Sequence, residues 1–156
     1  MKALVAYFSA SGVTAKVAKR LAGAIDAPLY EIRPEAPYTA ADLDWTSKQS
    51  RSTLEMSDKT CRPALADRDA PVAGADVVFV GYPVWWYREP SIIDSFLSAY
   101  DFTGKKIVPF ATSGGSDIGA EAPARMKEIT GAEVNGGKRF PASVQDAELK
   151  AWAESV

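Results

Sequence analysis

Histidine is absent from this chain of 156 residues, and cysteine occurs only once, at Cys61. Without histidine, neither a Ser-His-Asp set nor a Cys-His pair for nucleophilic catalysis can form within the chain. A zinc site would need one cysteine plus carboxylates, so we expect no metal and assign no catalytic side chain. If the chain is an enzyme, a bound organic cofactor is the simplest source of its reactivity.

Long apolar runs and a strong charge of either sign are missing as well. A single cysteine cannot form an internal disulfide, which suits a reducing compartment. The apolar run near the start is too short for the core of a signal peptide, and no stretch approaches a membrane span, so we expect a cytoplasmic protein that binds no membrane. The formal net charge of −2 gives no reason to expect a nucleic acid partner.

What the sequence does contain is an alternation of strand and helix patterns. Hydrophobic residues make up 47% of the chain, and the length suits a single domain over residues 1–156. Five strands are predicted, at Ala3–Phe8, Leu29–Ile32, Val77–Gly81, Ile107–Ala111 and, with a bend, across 132–140. Stretches of helical spacing separate them, which predicts an α/β domain with a parallel sheet covered by helices on both faces.

The first strand ends in a hydroxyl-rich turn, and a helix is predicted to follow from about Thr14 to Ala24. The turn contains Ser9, Ser11 and Gly12. Such a turn directs several backbone N–H groups and the positive end of the helix dipole at one point, where hydroxyls can add donors. It predicts a phosphate site without a positive side chain, and the alternative is an ordinary N-capped helix start.

Two further unusual loops follow later strands. Residues 82–90 crowd four aromatic side chains into one loop, which favours a site for a flat ring system; a core-facing aromatic cluster is the alternative. Residues 112–117 are rich in hydroxyls and glycine, as in a backbone approach to a ligand or in a plain turn. All three loops leave the carboxyl edge of the predicted sheet, where open α/β sheets bind their ligands.

The segment from residue 34 to residue 74 is polar and irregular. Tyr38–Trp45 is interpreted as a loop that folds an aromatic residue back onto the domain. A helix is predicted from Thr46 to Lys59, with Trp45, Leu54 and Met56 as its apolar contacts. The pattern assigns this segment no function.

Together the three loops resemble the flavin loops of the flavodoxin family. Ser9-Ala10-Ser11-Gly12-Val13-Thr14 fits the family's phosphate-loop pattern, Ser/Thr-x-Ser/Thr-Gly-x-Thr. Gly81–Trp86 is similar to the second flavin loop, and Thr112-Ser113-Gly114-Gly115 stands where the third would be. The resemblance covers nearly the whole chain. It implies a three-layer fold, with a five-stranded parallel sheet in the order 2-1-3-4-5, and FMN bound without a covalent link.

The resemblance also implies which residues bind the cofactor. The first loop would hold the phosphate through hydroxyls and backbone N–H groups, the second would line the ring and ribityl chain, and the third would meet the ribityl chain and the pyrimidine edge. In the first loop the hydroxyls are those of Ser9, Ser11 and Thr14, and the N–H groups are those of Ala10, Gly12 and Val13. The other loops supply Pro83, Val84, Trp85, Trp86 and Tyr87, and then Thr112, Ser113, Gly114 and Gly115.

Two departures from the family bear on function. Related sequences often have glycine after the second tryptophan, where this chain has Tyr87, a side chain large enough to narrow or cover the site. The charge is also mild for an electron carrier, since carriers are typically strongly acidic and are steered to basic partners.

We therefore expect an FMN-dependent redox protein, monomeric or homodimeric. It would pass electrons to a partner protein or to a small-molecule acceptor. The alternatives are an NAD(P)H-dependent reductase of quinone type and a non-catalytic binding module that no longer holds FMN.

Overall fold

The computed structural model describes residues 2–112 and 117–156. Strands and helices alternate along the chain, as predicted. The elements are β1 (Ala3–Tyr7), α1 (Val13–Ile25), β2 (Leu29–Glu31), α2 (Arg51–Ser57), β3 (Val77–Tyr82), α3 (Ser91–Ala99), β4 (Lys106–Ala111), α4 (Ala122–Thr130), β5 (Glu133–Val134), β6 (Lys138–Arg139) and α5 (Asp146–Ser155). Within the described ranges, no helix combines the length and the apolar character needed to span a bilayer.

The sheet has the strand order β2-β1-β3-β4-β5, and all of its ladders are parallel. The predicted order and strand direction are therefore confirmed. The predicted bend in the last strand divides it into β5 and β6, and both pieces pair with β4. Gly136, between the two pieces, has a φ of +74°, which glycine adopts without strain.

Helices cover the sheet on both faces, giving three layers. Alternate residues of β1 point to opposite sides: Leu4 and Ala6 pack in the layer that contains α3 and α4, while Val5 and Tyr7 pack in the layer that contains α1 and α5. Both sides of the strand are buried, so its sequence is apolar throughout instead of alternating.

The segment between β2 and β3 only partly follows its prediction. Tyr38 folds back onto the domain, as expected of one aromatic residue there, with its ring 5.6 Å from that of Phe8. Trp45 and Leu54 were wrongly predicted as apolar contacts, since they are 74% and 58% exposed, whereas Met56 is buried. The place beside Phe8 is taken by Tyr38, which leaves Trp45 outside the core.

The helix in this segment is also shorter than predicted. Ser50 ends the preceding loop and caps α2 by accepting a hydrogen bond from the backbone N–H of Thr53. The helix therefore begins at Arg51, whose guanidinium lies 4.0 Å from the centre of the Tyr38 ring. This contact ties α2 to the residue that anchors the segment to the core.

Candidate functional site

The predicted site lies at the carboxyl edge of the sheet. In the strand register Tyr7 pairs with Gly81, and Gly81 pairs with Phe110, so β1, β3 and β4 end at nearly the same level. The loops after these strands consequently leave one edge, as predicted. Of the third loop, Ser113, Gly114 and Gly115 lie outside the described residues, and their assignment stays a prediction.

The start of α1 differs from an ordinary capped helix. Its N-cap residue is Gly12, with a φ of +94°, and no side chain in the described part of the protein caps it. Ser9 Oγ instead accepts a hydrogen bond of 3.0 Å from the N–H of Gly12, inside the loop. The N–H groups of the first turn, and the positive end of the helix dipole, thus remain suited to an anion.

A pair of buried threonines joins the first loop to the third. Thr14 Oγ1 lies 2.7 Å from Thr112 Oγ1, and both residues are buried. The bond between them uses only one of the two hydroxyl hydrogens, so one hydrogen remains to be donated elsewhere. Ser11, in contrast, is exposed at the turn.

A cavity of about 540 Å³ opens beside the turn. Its walls come from the first loop, from the aromatic loop and from the segment that contains α2. They comprise Ala10, Ser11, Leu43, Trp45, Ser52, Pro83, Val84, Trp85, Trp86 and Tyr87. None of these side chains is charged, and most are apolar, as expected for a site that binds a flat, uncharged ring.

The tryptophans of the aromatic loop have different surroundings. Trp85 packs edge-to-face against Phe8 and Tyr38, with ring centres 5.7 and 5.6 Å away. Trp86 and Tyr87 are 41% and 63% exposed. Trp85 therefore belongs to an aromatic cluster on the core, whereas Trp86 and Tyr87 are partly exposed at the cavity, and their assignment to a site for a flat ring stays a prediction.

Trp86 and Tyr87 form the tip of a tight hairpin turn. Trp85 and Arg88 exchange backbone hydrogen bonds of 3.0 and 3.2 Å across it. Trp86 has a φ of +48° and Tyr87 a φ of +66°. Two positive φ values in a two-residue hairpin define a type I′ turn, which asparagine and glycine adopt far more readily than aromatic residues.

A group of charged residues, which we call the ion network, lies behind this turn: Arg88, Glu89 and Asp94 are buried, and Arg125 is partly buried. Arg125 Nη2 donates to Asp94 Oδ2 at 2.5 Å, and Arg88 Nη1 donates to the same oxygen at 3.4 Å. Arg125 Nε also donates to the two carboxylate oxygens of Glu89, at the longer distances of 3.3 and 3.4 Å. Within the described residues, Asp94 Oδ1 has no hydrogen-bond partner.

The two carboxyls of the ion network differ in how well they are compensated. Burial, and after it the negative charge of Asp94, raise the pKa of Glu89 to about 8, although Arg125 and Arg88 act in the opposite direction. Burial also raises the pKa of Asp94, which Arg125 opposes most strongly. Asp94 has the shorter contact with Arg125, so we assign the proton of the pair to Glu89 at neutral pH.

The ion network and one wall of the cavity were not predicted from the sequence. Asp94 carried a usable signal, because a charged residue among the large apolar residues of a predicted core helix indicates a buried ion pair. The wall formed by Leu43, Trp45 and Ser52 had no comparable signal, since it depends on how an irregular segment folds over the sheet.

Comparison with known proteins gives matches over nearly the whole chain. A sequence model of the flavodoxin family matches residues 2–156. The structure of a candidate flavoprotein from Bacteroides eggerthii is 41% identical, with a TM-score of 0.89 over 99% of this chain and 97% of that one. A candidate flavoprotein from Bacteroides uniformis is 42% identical, with a TM-score of 0.88 over 98% of this chain and 97% of that one.

More distant structures share the fold. A flavoprotein from Lactobacillus acidophilus, solved in complex with FMN, is 22% identical, with a TM-score of 0.71 over 97% of this chain and 98% of that one. A search of curated proteins finds no match.

Proposed function

This chain belongs to the flavodoxin family, and from that premise we propose that it binds FMN without a covalent link and transfers electrons through it. One observation carries the proposal: an apolar cavity with aromatic walls shares Ala10 and Ser11 with the turn before an uncapped helix. A cofactor with a flat ring at one end and a phosphate at the other matches such a site. The FMN complex of the Lactobacillus acidophilus protein, which has the same fold, supports this choice.

The phosphate would lie at the start of α1. Backbone N–H groups of the first helical turn point along the helix axis there, and the hydroxyls of Ser11 and Thr14 can add donors. All of these donors are neutral. The phosphate would therefore be held by dipoles, in keeping with the mild charge of the whole chain.

The ring would lie in the cavity beside Trp86 and Tyr87. When bound, FMN supplies the capacity to accept and release electrons, one or two at a time. The exposed aromatic side chains would present electron-rich faces to the ring, and none of the described residues that line the cavity is charged. Such walls disfavour the extra negative charge of a reduced ring, so we expect this protein to lower the reduction potential below that of free FMN.

A reductase of small acceptors is the second candidate. The wall formed by Leu43, Trp45 and Ser52 extends the cavity beyond the flavin loops, which favours a site that also admits a small molecule. Steady-state oxidation of NAD(P)H with an added quinone would separate the two candidates. Turnover no faster than that of free FMN would exclude the reductase.

The visible absorption spectrum of the purified protein tests the proposal, recorded before and after FMN is added and the protein is desalted. We expect a retained flavin spectrum that Ser11→Trp abolishes, because the exposed Ser11 lies at both the turn and the cavity. The matched control is Ser143→Trp, at an exposed serine of another loop, which should leave the spectrum unchanged. A colourless protein that releases all added FMN would overturn the proposal and favour a non-catalytic binding module.

A further inference from the structure

The turn at Trp86 and Tyr87 has an unfavourable conformation, and the residue that follows it is fully buried. We propose that Arg88 is a positioning residue, which holds Trp86 and Tyr87 in the type I′ turn where they line the cofactor cavity. The inference rests on the proposed FMN site, although Arg88 itself does not line the cavity.

The conformation of the turn must be stabilised by residues outside it, because of the two residues at its tip. Trp86 and Tyr87 have φ values of +48° and +66°, in the left-handed region that bulky side chains avoid. Both side chains are substantially exposed, so their own packing offers little to offset that strain. The backbone pairing of Trp85 with Arg88 closes the turn, and the position of Arg88 therefore decides whether it stays closed.

Arg88 is fixed by contacts with two helices. Its side chain is 2% exposed, and its Nη2 donates to the carbonyl oxygen of Met56, in α2, at 3.1 Å. Its Nη1 donates to Asp94 Oδ2, in α3, at 3.4 Å and to the carbonyl oxygen of Glu89 at 3.2 Å. Because a buried guanidinium must keep such partners, the end of the turn is held in place.

The turn is held from its other side as well. The carbonyl oxygen of Tyr87 accepts a hydrogen bond of 3.2 Å from the N–H of Glu121. Gly119 approaches so closely that a Cβ at this position would lie 2.8 Å from the same oxygen. Arg125, in α4, bonds Glu89 and Asp94, so α4 and the loop before it complete the frame behind the turn.

A purely structural role for Arg88 makes a different prediction from a positioning role. If Arg88 only stabilises the packing of α2 and α3, its loss should weaken FMN binding by the same factor whichever residue stands at position 87. If it holds a strained turn, its loss should matter far less when position 87 is glycine, which adopts a positive φ without help. Tyr87→Gly therefore separates the two roles.

The experiment measures the FMN dissociation constant by flavin fluorescence in wild type, Arg88→Lys, Tyr87→Gly and the double variant. Lysine keeps the charge and loses the planar set of donors. We expect Arg88→Lys to weaken FMN binding about tenfold, and the double variant to stay within about threefold of Tyr87→Gly alone. The control is Arg62→Gln, because Arg62 lies 3.7 Å from the same Asp94 oxygen and is partly exposed. It should change the constant less than about twofold.

A second variant covers the case in which Arg88→Lys does not fold. Gly119→Ala would press on the Tyr87 carbonyl without changing any charge, and it should also weaken FMN binding. Wild-type affinity in Arg88→Lys, or in Gly119→Ala if the first is unfolded, would overturn the positioning role, as would an undiminished loss in the double variant. Failure of the wild type to bind FMN would be a different result, because it would overturn the proposed function itself.

Discussion

The turn before α1 and the type I′ turn at Trp86 and Tyr87, which we call the aromatic turn, both contain residues with left-handed backbone, but for opposite reasons. Gly12 adopts its φ of +94° freely because it has no side chain. Trp86 and Tyr87 adopt theirs with large side chains, inside a frame of buried charges. An unusual backbone at a ligand site can thus come from the residue itself or be imposed by its surroundings, and in the second case the residues behind the site matter as much as those facing it.

The two regions also differ in their electrostatics. The phosphate turn has neutral donors, and Ser11 and Gly12 are exposed to solvent. The ion network carries its charges in the interior, with Glu89 and Asp94 fully buried. We therefore expect pH and the loss of single charges to act mainly through the aromatic turn.

The largest effect should come from Asp94→Ala. This change removes the carboxylate that Arg88 and Arg125 share, and leaves the buried Arg88 guanidinium and the partly buried Arg125 guanidinium with one partner fewer. We expect a loss of about 3 kcal/mol in the free energy of unfolding, measured with urea. Ser11→Ala, in the other region, should change it by less than about 0.5 kcal/mol. Equal effects of the two variants would remove the contrast between the regions.

Glu89→Gln should have an intermediate effect that depends on pH. The pKa of Glu89 is about 8 in the folded protein, against an ordinary value of 4.5, so the folded state keeps a proton that the unfolded state has lost. Because of this group, the free energy of unfolding should fall as pH rises from 4.5 to 8.

Urea unfolding at several pH values tests the effect of Glu89. Glutamine stays neutral, so the free energy of unfolding of Glu89→Gln should decline less across this pH window than that of the wild type. Above pH 8 the variant should be more stable than the wild type. Glu128→Gln, at an exposed position on α4, serves as the control and should retain the decline. An unchanged slope in Glu89→Gln would show that Glu89 is ionised in the folded protein.

The smallest effects should be those of changes to the turn backbones themselves. Gly12→Ala places a Cβ at a φ of +94° and should lower the free energy of unfolding by about 1 kcal/mol.

Tyr87→Gly should be more stable than Tyr87→Ala by about 1 kcal/mol, because both lose the ring and only glycine relieves the left-handed strain. Thermal unfolding of Gly12→Ala, Tyr87→Gly and Tyr87→Ala measures these differences in stability. If alanine and glycine are equivalent at position 87, the turn is not strained.

Much of the fold could be predicted from local patterns. The runs at β1, β3 and β4 are apolar throughout because both faces of the sheet are covered, which also indicated a parallel sheet. The observed ends of some helices and strands differ by a few residues from the predicted ends, because single contacts decide them. One such contact is made by Ser50, which caps α2.

The candidate site was predictable only as far as its residues are adjacent in sequence. Ser9–Thr14 and Pro83–Tyr87 are contiguous and could be recognised as loops. Asp94 and Arg125 meet through the packing of α3 and α4, and Trp45 reaches the cavity through an irregular segment. Such arrangements depend on tertiary contacts that no spacing encodes, and the type I′ turn runs against the local preferences of its own residues.

The most direct test of the proposed site compares FMN with riboflavin, which has the same ring and ribityl chain but no phosphate. Dissociation constants for both would be measured by flavin fluorescence with the wild type and with Thr14→Val. If the start of α1 binds the phosphate, FMN should bind at least about 100-fold more tightly than riboflavin, and the ratio should shrink in Thr14→Val. Equal affinities for the two flavins would contradict the assignment of the phosphate to this turn.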